Sequence, residues 1–359
     1  MASSFGFMKP LSKIAKPVLL PAAMGSLAYA GYYGRGAFVD YLVRFVTGPG
    51  RNSRLIALAL VLINWKSLPL AWTVRVWNTM IQHIFVRELH THTPDKLFHP
   101  VISSTHVSLL EVDYNLHKSN STYFADLDVS RSHLASHLLA RGCRMLADNE
   151  HTHLVMDPKN PDQPARGRFG VMLGAVACNF KREIKPFAGY EMWTRVLSWD
   201  RKWLYMVTHF VEKGAVRPRS WAAEDFGLTH TPDEDDDAAT QAWEKKVYAS
   251  AVSKYVFKIG RLTVHPAVVI GASGLLPERP DGWVNTPMPS GMATPAEPVI
   301  GNTDAEAKVE EQETGWDWTK TEAERVKGHN FAEHFAQLED LHSVFCGGGQ
   351  GALGHFSLG

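Results

Sequence analysis

Two apolar stretches lie near the start of the chain. The first is PVLLPAAMGSLAYAGYYG over 17–34. The second is LIALALVLINWKSLPLAWTV over 55–74, bounded by Arg54 and Arg75. A bilayer-spanning helix needs roughly 20 mostly apolar residues, and the second stretch meets that length. Lys66 lies inside it and Pro69 would kink it. A lysine at the centre of a span costs about 2.5–3.5 kcal/mol on insertion scales. The pattern predicts that residues 1–94 form an N-terminal apolar membrane-anchor region. A re-entrant hairpin and an apolar docking module fit the same pattern. So does an organellar presequence, because Asp40 is the only acid in the first forty residues.

After Thr93 and Pro94 the periodicity changes. VISSTHVSLLEV (101–112) is β-branched and predicts a strand. Tyr123, Leu127, Leu134 and Leu138 then recur at helical spacing. Ser119 or Ser121 stands where a cap belongs, Asp126 and Asp128 suit the positive end, and Gly142 reads as the stop. MLGAVACNFKREIKPF (172–187) predicts a long strand. YEMWTRVLSW (190–199) and WLYMVTHFVE (203–212), joined through Asp200-Arg201-Lys202, predict a hairpin. SKYVFKIGRLTVHPAVVIG (253–271) predicts the last long strand. The polar insert 213–252 carries DEDDD at 233–237 and a predicted helix around TQAWEKKVYASAV. Residues 276–317 read as a Pro-rich linker. Residues 318–359 read as a pair of helical segments with a Gly-rich tail.

One strand, one long helix and four antiparallel strands imply an α+β domain over 95–275. The helix buries its apolar face only if a curved sheet wraps it.

Charge adds little at the level of the whole chain. Lys plus Arg, at 37, equals Asp plus Glu, at 37. No net field attracts nucleic acid. The distribution is uneven, since Asp40, Glu88 and Asp95 are the only acids in the first hundred residues. A basic, apolar front end points to a membrane. The three cysteines lack metal spacing and form no disulfide framework. His133 and His137 lie one helical turn apart, but Leu134 stands where a zincin motif needs Glu, so no metal ligation is expected. No G-x-S-x-G elbow and no dinucleotide fingerprint occur, and no cofactor is expected.

The candidate chemistry sits in EVDYNLHKSNSTYFADLDVSRSHLASHLLARG (111–142). Read as residues alone, this is either a catalytic entrance to a helix or a polar cap on one. Asp113 can hold a turn, Asn120 can cap a helix, and Tyr123 can be core.

The run D113-Y-N-L-H117-K-S119-N120-S-T-Y123 resembles the 4-hydroxybenzoyl-CoA thioesterase branch of the hotdog superfamily. The common pattern there is Asp, three residues usually ending in Gly, His, a variable residue, Asn-Asn, two residues, Tyr. FKREIKPFAGYEMWTRVLSWDRKWLYMVTHFVEKG also resembles this family's strands, and is especially similar to the membrane-anchored thioesterase-superfamily-member-6 group. The resemblance covers about 101–271.

It implies a hotdog fold, a homodimer and hydrolysis of an acyl-thioester, usually acyl-CoA. Asp113 would be general base or nucleophile, His117 would orient it or a water, and Asn120 would complete the catalytic set. Tyr123, Ser119 and Lys118 would meet substrate. The helix start would supply the oxyanion site. The membrane-anchored group implies the endoplasmic reticulum, with mitochondria as the alternative. The chain departs from the pattern at Leu116, where Gly is usual, and at Ser119, which replaces the first Asn. A non-catalytic acyl-chain binder and a dehydratase or isomerase are the other functions this fold carries.

Overall fold

The computed structural model describes residues 5–6, 35–86, 92–216, 218, 243–284 and 316–344. The fold is α+β, with a curled antiparallel sheet and helices. Strand β1 is the two-residue bridge Phe5–Gly6. The main strands are β2 (Val101–His106), β5 (Phe169–Phe180), β6 (Gly189–Trp199), β7 (Leu204–Glu212) and β8 (Val247–Ile259). Between β2 and β5, Met156–Asp157 (β3) and Asn160–Pro164 (β4) pair as a separate ribbon. The sheet order is β1-β5-β8-β7-β6-β2, every neighbour antiparallel, and Leu262–Val264 (β9) folds back on β8.

Eight α-helices complete the described residues: α1 (Arg35–Thr47), α2 (Arg51–Ile63), α3 (Ala71–Ile81), α4 (Tyr123–Leu138), α5 (Ala140–Ala147), α6 (Asn149–Thr152), α7 (Pro266–Ala272) and α8 (Trp318–Ala336). The four α4 positions picked out by spacing are all buried. Tyr123 and Leu127 pack with Tyr190, Met192 and Phe210 of the sheet. Leu134 and Leu138 pack with Val196, Met206 and Phe257. Each buried leucine contributes about 1.5–3 kcal/mol relative to exposure.

Helix α8 covers the other face of the sheet. Ala332 and Phe335 pack on Leu197, Tyr205 and Val207. The Ser198 hydroxyl donates to the Arg325 carbonyl at 2.8 Å, and Arg325 donates to the Trp199 carbonyl at 3.0 Å. Gly328 sits where a Cβ would lie 1.9 Å from the Leu197 carbonyl oxygen. Gly328→Ala is therefore expected to lift α8 off the sheet. Limited proteolysis should then release the C-terminal segment faster than in the parent. Equal protection of the two proteins would reject this account of the glycine.

Several boundaries differ from the sequence expectation, each for a local reason. β2 stops at His106 because Ser108 and Glu111 form a capping box around a 3-10 turn, Leu109–Glu111. Gly142 does not end the helix. The chain breaks for one residue at Leu139, and Gly142 lies inside α5, where a Cβ would be 2.1 Å from the Val269 carbonyl oxygen of α7. β5 ends at Phe180, so 181–187 is not strand. Of the predicted helix at TQAWEKKVYASAV, the described residues form a 3-10 turn over Trp243–Lys246. Val247, Ala249 and Ala251 then alternate inward as strand β8. The run 253–271 is broken by a turn at Gly260 (φ 58°) and by Pro266, which opens α7 under a His265 cap. The second C-terminal segment is a 3-10 stretch, Gln337–Val344. The acidic run, residues 285–315 of the linker and the Gly-rich tail lie outside the described residues.

The stretch 55–74, expected as one helix, is broken into two. No helix among the described residues is long and apolar enough to cross a membrane. α2 ends at Ile63, a 3-10 turn follows over Trp65–Ser67, and Leu70 (φ 67°) leads into α3. The break falls at Lys66 because its ammonium is held inside the domain. The stretch 17–34 lies outside the described residues.

Candidate functional site

The 3-10 turn at 109–111 and the entrance to α4 meet over a buried group of charges. The Lys66 ammonium lies 3.0 Å from Glu111 Oε2 and 3.2 Å from Asp126 Oδ2, and it donates to the His106 carbonyl at 2.7 Å. The Lys118 ammonium lies 3.0 Å from Glu111 Oε1 and 3.0 Å from Asp126 Oδ2. Arg75 of α3 reaches Asp126 Oδ1 at 2.8 Å, and the Tyr190 hydroxyl donates to Asp126 Oδ2 at 2.5 Å. Three cations thus meet two carboxylates.

Burial alone would raise the Asp126 carboxyl, but Lys118, Lys66 and Arg75, with the Tyr190 hydrogen bond, hold it far below the usual carboxylate range. Burial and Asp126 push the Tyr190 phenol well up. Burial lowers Lys66, since Asp126 and Glu111 offset the desolvation only in part and Lys118 adds repulsion. Asp126 therefore gains from the cluster while Lys66 loses. The net benefit is smaller than the number of short contacts suggests.

This cluster fixes both feet of the turn that carries Asp113. Val112 and Lys118 bridge across its base, and the Ser119 N–H donates to the Glu111 carbonyl at 2.7 Å. Within the turn, the Asp113 N–H donates to the His117 carbonyl and the Leu116 N–H to the Asp113 carbonyl, each at 3.0 Å. Asp113 Oδ1 accepts the Asn115 N–H at 2.9 Å. Leu116 has φ 63°, the left-handed conformation that Gly adopts without strain and that costs another residue about 1–2 kcal/mol. Its side chain is 75% exposed.

His117 lies between two acids. Its Nδ1 is 3.8 Å from Asp113 Oδ1 and its Nε2 is 3.7 Å from Glu183 Oε1. Both separations exceed a hydrogen bond, and Nδ1 lies 3.3 Å from the Lys118 carbonyl.

The expected site residues divide into three groups. Asp113 and His117 share the turn. Ser119 and Asn120 follow at the helix entrance. The Ser119 hydroxyl pairs with that of Ser121 at 3.0 Å, and Asn120 is exposed in the 3-10 turn Asn120–Thr122. Neither Ser119 nor Thr122 caps its helix start with its side chain. Lys118 and Tyr123 point elsewhere. The Lys118 ammonium belongs to the buried cluster, 5.2 Å over the Tyr123 ring. Tyr123 packs edge-on to Phe180 and Phe210, with ring centroids 5.0 and 4.9 Å away. His133, singled out for its spacing, shares a 3.1 Å hydrogen bond with His83.

Farther along α4, a cavity of about 410 Å³ opens between the helix, the sheet and the N-terminal segment. Val76 and Ile84 form one wall, Ala135 and Leu139 another, and Leu173 and Phe257 a third. Arg131 and Asp128, paired with each other, give it one polar end. Its size and mostly apolar lining suit a small organic ligand.

The chain matches the thioesterase-like superfamily over residues 107–239. It is 33% identical over 298 residues to the thioesterase poxG of Penicillium oxalicum, covering 81% of this chain and 86% of that protein. It is 31% identical over 325 residues to the probable thioesterase atnL of Emericella nidulans, covering 88% of this chain and 92% of that protein. Among solved structures, the probable thioesterase YbaW from Escherichia coli is similar at 8% identity and a TM-score of 0.31, over 48% of this chain and 96% of that one.

Proposed function

The chain belongs to the thioesterase-like superfamily, and from that premise we propose that it hydrolyses acyl-CoA or a related acyl-thioester at the turn carrying Asp113. The observation that carries this reading is the pinned turn itself. It sets a partly exposed carboxylate beside His117 and leads within a few residues into a helix start that no cap side chain occupies.

In the proposed step, water adds to the thioester carbonyl while Asp113 takes its proton. The oxyanion that forms accepts hydrogen bonds from free N–H groups at the entrance to α4. The C–S bond then breaks, and the leaving thiolate recovers the proton. The products are a carboxylic acid and the thiol. Direct attack by the Asp113 carboxylate, followed by hydrolysis of the anhydride, gives the same products. His117 is near enough to orient the carboxylate in either route. The cavity along α4 receives the acyl chain.

The assembly we infer is a homodimer formed along β5. Among the described residues its outer edge is covered only at Gly170 and Val171. A long open edge is a template for another strand.

A panel of acyl-CoA chain lengths, run on the purified full chain, tests this reading. Ala135→Phe fills the cavity and is expected to reduce kcat/KM for long chains about 10-fold, with little effect on the shortest. An unchanged chain-length profile would remove the cavity from the reaction. A folded protein that cleaves no thioester would leave binding without cleavage as the function.

A further inference from the structure

We propose that the α1–α2 hairpin lies flat in one leaflet of a lipid bilayer with anionic headgroups, and brings the Asp113 turn to the membrane surface. The first observation is exposure. No residue of α2 is buried, although its sequence is RNSRLIALALVLI. Ile56 and Leu62 are each 62% exposed, and Val43 and Val46 of α1 are exposed beside them. Contiguous apolar surface of this kind marks an interaction site.

The second observation is rigidity. Arg54 donates to the carbonyls of Arg44, Phe45 and Gly48, closing the end of α1 and fixing the turn. The hairpin is thus a formed element and not a loose tail.

Length and charge select the occupant. Each helix has 13 residues, about 20 Å at 1.5 Å per residue, and the hydrocarbon core is about 30 Å thick. The first turn of α2, at the tip of the hairpin, carries Arg51, Asn52, Ser53 and Arg54, so tip-first insertion would bury two guanidinium groups in hydrocarbon. Lying in the interface keeps those groups among headgroups and sinks the apolar faces into the acyl boundary. Arg35, Arg44 and Arg51 are exposed and Asp40 is the only acid in either helix. That charge complements anionic lipid, and it would repel a second copy of the same hairpin. Trp65, Trp72 and Trp77 are exposed where the hairpin meets the domain, and tryptophan favours this interfacial depth.

The apolar surface continues to the candidate site. Asn64, at the end of α2, accepts the Leu110 N–H at 2.8 Å. Leu109 and Leu110 are exposed, as are Tyr114 and Leu116 on the Asp113 turn. A membrane-partitioned acyl chain would then meet the turn without crossing bulk water. This consequence rests on the proposed thioesterase reading; the docking surface does not.

Flotation of the purified full chain with vesicles tests the surface. Vesicles of phosphatidylcholine with phosphatidylserine should bind it roughly 10-fold or more tightly than phosphatidylcholine alone at low salt. The combined variant Ile56→Gln, Val61→Gln, Leu62→Gln changes only exposed side chains. It should keep the parent's circular dichroism and lose about 10-fold or more of the binding. Equal flotation of variant and parent would overturn the proposal. So would cleavage at Arg51 by trypsin enclosed inside the vesicles, which requires a spanning hairpin. An oligomer in detergent that the variant dissociates would assign the face to a second copy instead. None of these readouts uses turnover, so an inactive protein that floats as expected fails only the catalytic reading.

Discussion

Asp113→Asn is expected to lower kcat/KM for acyl-CoA hydrolysis by about 10²–10⁴-fold, the range for losing a positioned acid–base group. The fold should survive. The Asp113 carboxylate is partly exposed, and the hydrogen bond it accepts comes from the Asn115 N–H two residues on, which an asparagine side-chain oxygen also accepts. The turn is held from below by the Val112–Lys118 bridge and the buried charges, neither of which uses the Asp113 side chain. Asp113→Ala removes the turn bond as well, at about 0.5–1.5 kcal/mol. Comparing the two variants therefore separates chemistry from turn geometry. Steady-state release of thiol, measured beside thermal melting, reads both. Activity within about twofold of the parent in Asp113→Asn, far short of the expected acid–base effect, would exclude the carboxylate as base or nucleophile.

The sequence made some of this legible and hid the rest for identifiable reasons. Helix α4 showed itself through Tyr123, Leu127, Leu134 and Leu138, because one face of a 3.6-residue repeat is buried. The hairpin β6–β7 showed itself because both strands are rich in β-formers and flank a short polar link. Strand β8 spans two different sequence patterns. Its first half, VYASAV, alternates small and larger residues, and its neighbours WEKK suggested helix. The capping box at Ser108 and Glu111 was readable as S-x-x-E but lay inside a β-branched run.

Lys66 was the deepest concealment. A lysine in an apolar stretch argues against a span, yet nothing local says that its partners lie 45 and 60 residues later, at Glu111 and Asp126. Those pairings exist only once α3 has docked on α4. Leu116 shows the reverse case. The departure from Gly is visible in the sequence, but only the structure shows that the side chain is exposed and that the change acts on backbone strain.

Asp126→Ala is expected to destabilise the protein by about 3–5 kcal/mol, the range for breaking a buried ion pair by removing one partner. It leaves Lys66 and Lys118 with Glu111 alone, removes the carboxylate that Arg75 pairs with, and takes away the acceptor of the Tyr190 hydroxyl. Lys66→Met is expected to lose less. It removes the ammonium whose charged form burial disfavours, and Asp126 keeps Lys118 and Arg75. The pH dependence should distinguish the two further. The Asp126 carboxyl titrates in the folded protein well below its unfolded value of about 3.9. Its stabilisation is therefore complete above about pH 4 and is lost progressively as pH falls toward the folded value. Urea midpoints of parent and Asp126→Ala should lie far apart at neutral pH and converge in acid. A constant gap from neutral to strongly acid pH would show that packing, not ionisation, sets the loss. The same variant should also turn over more slowly at temperatures where it is still folded, because Glu111 and Lys118 stand at the two feet of the Asp113 turn. A charge buried more than ten residues along the chain from the carboxylate would then tune the reaction by holding that turn still.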